Sequence, residues 1–94
     1  MGNRMPRERS LWAAMTAAQI RAEQGAMNVT MVEFSRLAGI PRNTYWKLQA
    51  GETVADTDQV AKVCGALGIP VSEFYRRVEA RFVVALAAEQ REND

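Results

Sequence analysis

The sequence predicts an all-α fold of five helices in a single domain. Apolar residues recur at helical spacing along nearly the whole chain, and strand-like alternation over more than a few residues is absent. The chain has 94 residues, which suffices for one small domain and not for two. Four glycines stand where helical stretches stop, a position at which glycine commonly ends a helix; they are Gly25, Gly39, Gly51 and Gly68.

The composition narrows the classes of function. The chain is 48% hydrophobic and 24% charged, as folded proteins are, and its net charge is only +1. Because it contains no His, no paired carboxylates on one face and no glycine-rich phosphate loop, we expect neither an enzyme nor a bound cofactor or metal. The single cysteine, Cys64, forms no internal disulfide, which is typical of a reducing cytoplasm. The longest apolar run, residues 82–88, is far shorter than the ~20 residues that cross a bilayer, so we expect no membrane partner.

Three helices are predicted outside the centre of the chain, from apolar stripes and capping residues. The first spans about residues 10–24, and its apolar stripe consists of Leu11, Met15, Ala18 and Ala22. The fourth begins at a capping box formed by Asp56 and Gln59. The fifth spans residues 72–91 and is capped by Ser72.

The centre of the chain, residues 30–51, predicts a helix-turn-helix. Thr30 followed three residues later by Glu33 is a capping box that begins the second helix. A tight turn at residues 39–41 leads into the third helix, residues 42–50, and two short helices joined by a glycine-containing turn form this motif. The side chains expected in the core between the two helices are Leu37, Ile40, Tyr45 and Leu48.

An outward face remains on the third helix, and its side chains suit the major groove of DNA. Arg can bind guanine, Asn can bind adenine, and Thr can contact a thymine methyl group. The residues predicted to contact bases are Arg42, Asn43, Thr44, Trp46 and Lys47. For Trp46 the alternative is packing against the loop around Val54. The predicted phosphate contacts are Thr30 and Met31, at the positive end of the second helix, and Arg36.

Residues 30–51, TMVEFSRLAGIPRNTYWKLQAG, resemble the helix-turn-helix of Cro/CI-type (Xre-type, lambda-repressor-like) regulators. Residues 56–69 are similar to the fourth helix of that family, and residues 71–74 to the start of its fifth. The resemblance implies a five-helix lambda-repressor-like DNA-binding domain, here with an extended C-terminal helix. It also implies binding of double-stranded DNA as a dimer on a two-fold operator, usually for repression. Its base-contacting positions fall on Arg42, Asn43 and Lys47.

Two positions that matter for phosphate binding depart from the family pattern. Met31 stands where the family commonly has a Gln that bridges to phosphate, so only the backbone of Met31 is expected to make that contact. Glu52 follows the closing glycine, where a basic residue is frequent, and its carboxylate would repel phosphate.

Each end of the chain leaves two alternatives open. The basic arm, residues 1–9, either contacts DNA, as basic arms do in the minor groove, or is a solvated tail. The long C-terminal helix is apolar all round over residues 82–88, so one stripe cannot bury it. We expect a homodimer contact formed by Phe82, Val83 and Leu86. The alternative is that this helix packs against Leu11, Trp12 and Met15 of the first helix.

Together these features favour a sequence-specific DNA-binding transcriptional regulator, a bacterial or bacteriophage repressor without an effector domain. A dimer would place the third helices in successive major grooves about one helical turn apart. One alternative is the antitoxin of a toxin–antitoxin pair, which binds DNA and uses its apolar C-terminal helix to bind a protein. Another is a helix-turn-helix module that binds only protein.

Overall fold

The computed structural model describes residues 7–93, and this part of the chain is an all-α fold, as the sequence predicts. It contains five helices and no strand. Of the predicted basic arm, residues 7–9 belong to the first helix, and the remainder lies outside the described residues. The helices are α1 (Arg7–Met27), α2 (Met31–Ala38), α3 (Arg42–Ala50), α4 (Thr57–Leu67) and α5 (Val71–Asn93).

Helix α1 is longer than predicted and buries a different face. Gly25 lies inside it, and the helix is followed instead by Asn28, whose φ of 59° is left-handed. Asn tolerates this conformation better than other residues with side chains, and an interior glycine costs a helix only about 1 kcal/mol. Ala22, in the predicted stripe, is exposed. The buried residues of α1 are Ala13, Thr16, Ala17, Gln19 and Ile20.

The predicted helix-turn-helix is present between Thr30 and Gly51. The Thr30–Glu33 capping box is complete, with both reciprocal hydrogen bonds. Gly39 ends α2 with a φ of 71°, a conformation that most side chains disfavour, and the turn then directs Ile40 into the core. The prediction for Leu37 was wrong: its side chain is 58% exposed, because α2 turns Phe34 and Ala38 toward the core instead.

The second half of the chain follows the predicted pattern with one shift. The capping box of Asp56 and Gln59 begins α4, and Gly68 ends it. Helix α5 begins at Val71, before Ser72, so Ser72 is not its cap. The Phe74 N–H donates to the Pro70 carbonyl at 3.2 Å, so the first helical hydrogen bond already starts at Pro70.

A single apolar core lies between the helices. Cys64 is buried within it, and this burial, with the nearby charge of Glu23, raises the pKa of the thiol. A buried thiol with a raised pKa is a poor nucleophile, so Cys64 acts as a small apolar side chain. The core residues are Ile20, Phe34, Ala38, Ile40, Tyr45, Leu48, Val60, Val63, Cys64, Phe74 and Val78.

Aromatic and polar contacts join α1 to α5. Trp12 stacks on Tyr75 and meets Phe82 edge to face. Toward the end of α1 and the start of α5, the Arg77 guanidinium donates to the Glu23 carboxylate at 2.6 Å. The long C-terminal helix is thereby held along the first helix over several turns.

Candidate nucleic-acid interface

Helix α3 has a buried side and an exposed side. Tyr45 and Leu48 face the core and are almost completely inaccessible. Positions 42, 43, 46 and 47 lie on the opposite side of a 3.6-residue helix, and all four side chains are exposed. We call these four residues, Arg42, Asn43, Trp46 and Lys47, the exposed face of α3.

The structure brings four of the five predicted base-contacting residues together on this exposed face. Thr44 is the exception, since it is half-buried at the edge of the face. Trp46 is 55% exposed, which leaves much of its ring accessible beside Arg42 and Lys47. Two cations, an amide and an aromatic ring on one short helix provide hydrogen-bond donors and an apolar surface that suit base edges.

The three residues predicted to contact phosphate differ in exposure. Arg36 and Thr30 are exposed, whereas the side chain of Met31 packs partly against the core. Within the capping box, the Glu33 N–H donates to the Thr30 hydroxyl at 3.1 Å, and the Thr30 N–H donates to the Glu33 carboxylate at 2.7 Å. Only the N–H groups of the first turn of α2, at residues 31 and 32, are therefore left for an anion.

Charge around the motif is only weakly positive. Residues 30–51 contain three cations, Arg36, Arg42 and Lys47, against one carboxylate, Glu33. Hydrogen bonds from Thr30 hold the pKa of Glu33 below its ordinary value, so this carboxylate stays ionised at neutral pH. Its charge reduces the attraction of the α2 N-terminus for phosphate.

Polar residues near the end of α1 form hydrogen bonds with α3 on the side away from its exposed face. Sequence analysis did not predict these residues. The Tyr45 hydroxyl donates to Gln24 Oε1 at 2.6 Å, and Gln24 Nε2 donates to the Val29 carbonyl at 3.2 Å. Arg21 donates to the carbonyl of Gln49 in the last turn of α3 at 2.5 Å. Burial raises the pKa of Tyr45 to about 12, so its hydroxyl remains a donor at neutral pH. The two contacts with α3 join residues 21 and 28 positions apart, and no local pattern identifies such partners.

The predicted dimer contact lies on α5, where its three residues differ in exposure. Phe82 is half-buried because its ring contacts Trp12, with centroids 5.3 Å apart. Val83 is 58% exposed, and Leu86 is half-buried. A shallow groove of about 470 Å³ runs beside them between α1 and α5; it is lined by Met15, Ala18, Ala80, Arg81, Val84, Ala85 and Ala88.

Residues 7–93 contain neither a cluster of metal-binding side chains nor a helix that could span a membrane. No group of three or more His, Cys, Asp or Glu side chains lies close enough to hold a metal ion. No helix in this part of the chain is both long and apolar enough to span a bilayer.

The fold and the exposed face of α3 together define an all-α domain built around a helix-turn-helix. Two crystal structures of the clp gene regulator ClgR from Corynebacterium glutamicum have the same fold. One aligns with a TM-score of 0.77 over 87% of each chain. The other aligns with a TM-score of 0.67 over 74% of this chain and 91% of that chain. Sequence identity is 20% in both alignments, so the similarity is one of fold. No family model and no curated protein matches the chain.

Proposed function

We propose that this protein is a sequence-specific DNA-binding transcriptional regulator of the Cro/CI type, a bacterial or bacteriophage repressor acting in the cytoplasm. The observation that supports this most strongly is the division of α3 into two sides. Tyr45 and Leu48 are buried on one side, while Arg42, Asn43 and Lys47 extend from the other, where no helix of residues 7–93 covers them. A helix held in this way can enter a major groove as a rigid element.

Each side chain of the exposed face has a role on DNA. Arg42 donates to guanine O6 and N7, and Asn43 pairs with adenine N6 and N7. Lys47 reaches a base or a phosphate one turn further along the helix. Trp46 contacts a sugar or a thymine methyl group through its exposed ring edge. Thr44 contributes from the edge of the face, where it is half-buried.

Phosphate contacts fix the position of α3 on the duplex. The free N–H groups at the start of α2 bind one phosphate, with Thr30 beside them, and Arg36 binds another. Met31 contributes its backbone, since its side chain packs against the core. Because these contacts are few and Glu33 lies next to them, affinity should depend on salt with a shallow slope of a few phosphates per half-site.

A homodimer on a two-fold operator would use α5. Val83 and Leu86, with the neighbouring Val84, present apolar surface that the described chain does not cover. Phe82 contributes only the part of its ring that remains exposed, since the ring also contacts Trp12. Burial of these side chains against a second copy would remove an exposed apolar patch from water. The two α3 helices would then meet successive major grooves.

The fold similarity to ClgR, a gene regulator by its name, supports a regulatory role. The test is selection of bound sites from a pool of random duplexes by the purified chain. We expect enrichment of a two-fold sequence whose half-sites are one helical turn apart. Recovery of a pool without any enriched sequence would contradict the proposal.

A second candidate function is favoured by the groove beside α5. An antitoxin binds DNA and also a toxin, and the exposed Val83 and Val84 could contact such a protein. Co-purification of a stoichiometric small partner, together with an enriched DNA site, would favour the antitoxin. A partner without any enriched site would favour a module that binds only protein.

A further inference from the structure

The side chain of Gln24 links three parts of the DNA-binding unit. It projects from α1, accepts a hydrogen bond from Tyr45 of α3, and donates one to the carbonyl of Val29. Val29 immediately precedes Thr30, the N-cap of α2. One amide therefore connects the helix that carries the proposed base contacts with the segment that carries the proposed phosphate contact.

The orientation of this amide is determined by its partners. The Val29 carbonyl can only accept a hydrogen bond, so the amide nitrogen of Gln24 must face it. Gln24 Oε1 then faces the Tyr45 hydroxyl, which donates. Tyr45 is fully buried, and a buried hydroxyl without a partner is costly, so the link constrains α3 strongly.

Arg21 provides a second attachment one turn earlier on α1. Its guanidinium donates to the carbonyl of Gln49, near the C-terminal end of α3. A cation there also stabilises the negative end of the helix. Helix α3 is thus held by α1 at two points, its centre and its end, and both lie away from the exposed face.

We propose that Gln24 and Arg21 are positioning residues that set the angle of α3 relative to the N-terminus of α2, and thereby the base specificity of the protein. This inference rests on the proposed function. It predicts that the two side chains affect discrimination between DNA sequences more than they affect attraction to DNA in general.

The experiment compares a variant that removes the hydrogen bonds of Gln24 with one that also removes the hydroxyl of Tyr45. Gln24→Met removes both bonds and leaves the Tyr45 hydroxyl and the Val29 carbonyl without this partner, so stability falls. Adding Tyr45→Phe removes the unpaired hydroxyl, and replacing both partners by apolar groups of similar shape is close to neutral. We expect the double variant to regain most of the lost melting temperature. Its preference for the selected site over a site with one changed base pair should still fall about tenfold, the value of one loosened base contact.

The matched control is Gln19→Met, another α1 amide with two partners. Gln19 accepts from Arg81 and donates to Glu23, so it joins α1 to α5 and not to α3. We expect it to lower the melting temperature without changing the preference between sites. Equal loss of preference in Gln19→Met, or full preference in the Gln24→Met/Tyr45→Phe variant, would overturn the inference.

Arg21→Met supplies a test that does not risk the core, because Arg21 is exposed. A positioning role predicts a reduced preference between sites with an unchanged salt slope. A direct phosphate contact would instead weaken binding to all sequences alike and reduce the slope by about one, which would overturn the role given to Arg21. If the unaltered chain prefers no sequence at all, the proposed function fails, and this inference fails with it. Failure of the variants alone leaves the proposed function standing.

Discussion

The rings of Trp12 and Phe82 meet edge to face, with centroids 5.3 Å apart and planes inclined at 69°. This contact joins the middle of α5 to the first half of α1 within one chain. The neighbouring Val83 has no such role, since it is 58% exposed. Of these two adjacent residues, Phe82 therefore packs within the domain, whereas Val83 lies on its surface.

That difference predicts effects of very different size on stability. Phe82→Ala removes the aromatic contact and should lower the free energy of unfolding by about 2 kcal/mol, less than for a fully buried ring. Val83→Ala should change it by less than about 0.5 kcal/mol, as expected of an exposed position. Urea unfolding of the two variants under conditions where the chain is monomeric measures both. Equal losses would show that the Trp12 contact contributes little.

Self-association should depend on Val83. A charged side chain buried against a second copy is costly, so Val83→Asp should shift the assembly from two chains to one across a dilution series. Sedimentation equilibrium measures the change. The control is Ala61→Asp, which places the same charge on an exposed position of α4. A wild-type chain that sediments as a monomer at every concentration would remove the dimer from the proposed function.

Two glycines with different backbone angles should respond in opposite directions to alanine. Gly25 lies inside α1 with open space around its Cα, so Gly25→Ala should stabilise the fold by up to about 1 kcal/mol. Gly39 has a φ of 71°, so Gly39→Ala should destabilise it by roughly 1–2 kcal/mol. Thermal unfolding of the two variants decides the matter. A stabilising effect at Gly39 would mean that the turn does not need its left-handed conformation.

The capping residues and the glycines at helix ends show where sequence patterns predict the fold and where they do not. Capping boxes at Thr30 and Asp56 were predicted correctly because both of their hydrogen bonds close within three residues of the chain. Gly39 and Gly51 were predicted correctly because each directly follows a short helix. Gly25 was predicted wrongly, since a glycine that ends a helix and one that interrupts it have the same local sequence, and packing of α1 against α3 and α5 decides between them.

Other features could not be predicted from local sequence at all. Helix α1 is rich in alanine, so its polar and apolar faces differ little and more than one face fits an apolar stripe. The prediction for Ala22, which is exposed, was wrong for this reason. The contact of Gln24 with Tyr45 joins residues 21 positions apart, and such a pair is set by the fold. The exposed face of α3 was predictable because α3 is short and its buried positions are clearly apolar.

Acid should weaken the start of α2 through Glu33. Hydrogen bonds from Thr30 depress the pKa of this carboxyl below its ordinary value of 4.5. A depressed pKa means that its contribution is complete above the unfolded-state value and is lost as the pH falls through the folded-state value. Glu33→Gln keeps the capping hydrogen bonds without the charge. We expect this variant to lose less melting temperature than the wild-type chain between about pH 5 and pH 3. Parallel acid dependence in the two proteins would contradict this.

Affinity for a selected operator should depend on the side chains of the exposed face of α3 themselves, and not only on the positive charge that they add to the domain. Arg42→Ala combined with Lys47→Ala removes two exposed side chains that lie outside the core of residues 7–93, so circular dichroism should be unchanged. Affinity for the operator should fall about 100-fold or more, since each lost base contact is worth ~1–3 kcal/mol. The control, Lys62→Ala with Arg91→Ala, removes the same number of charges from α4 and α5. We expect it to weaken binding only slightly, because exposed charges far from DNA act through a screened field. Fluorescence anisotropy with operator and scrambled duplexes distinguishes the two. If both double variants lose affinity equally, α3 does not contact the bases, and the interface lies elsewhere on the domain.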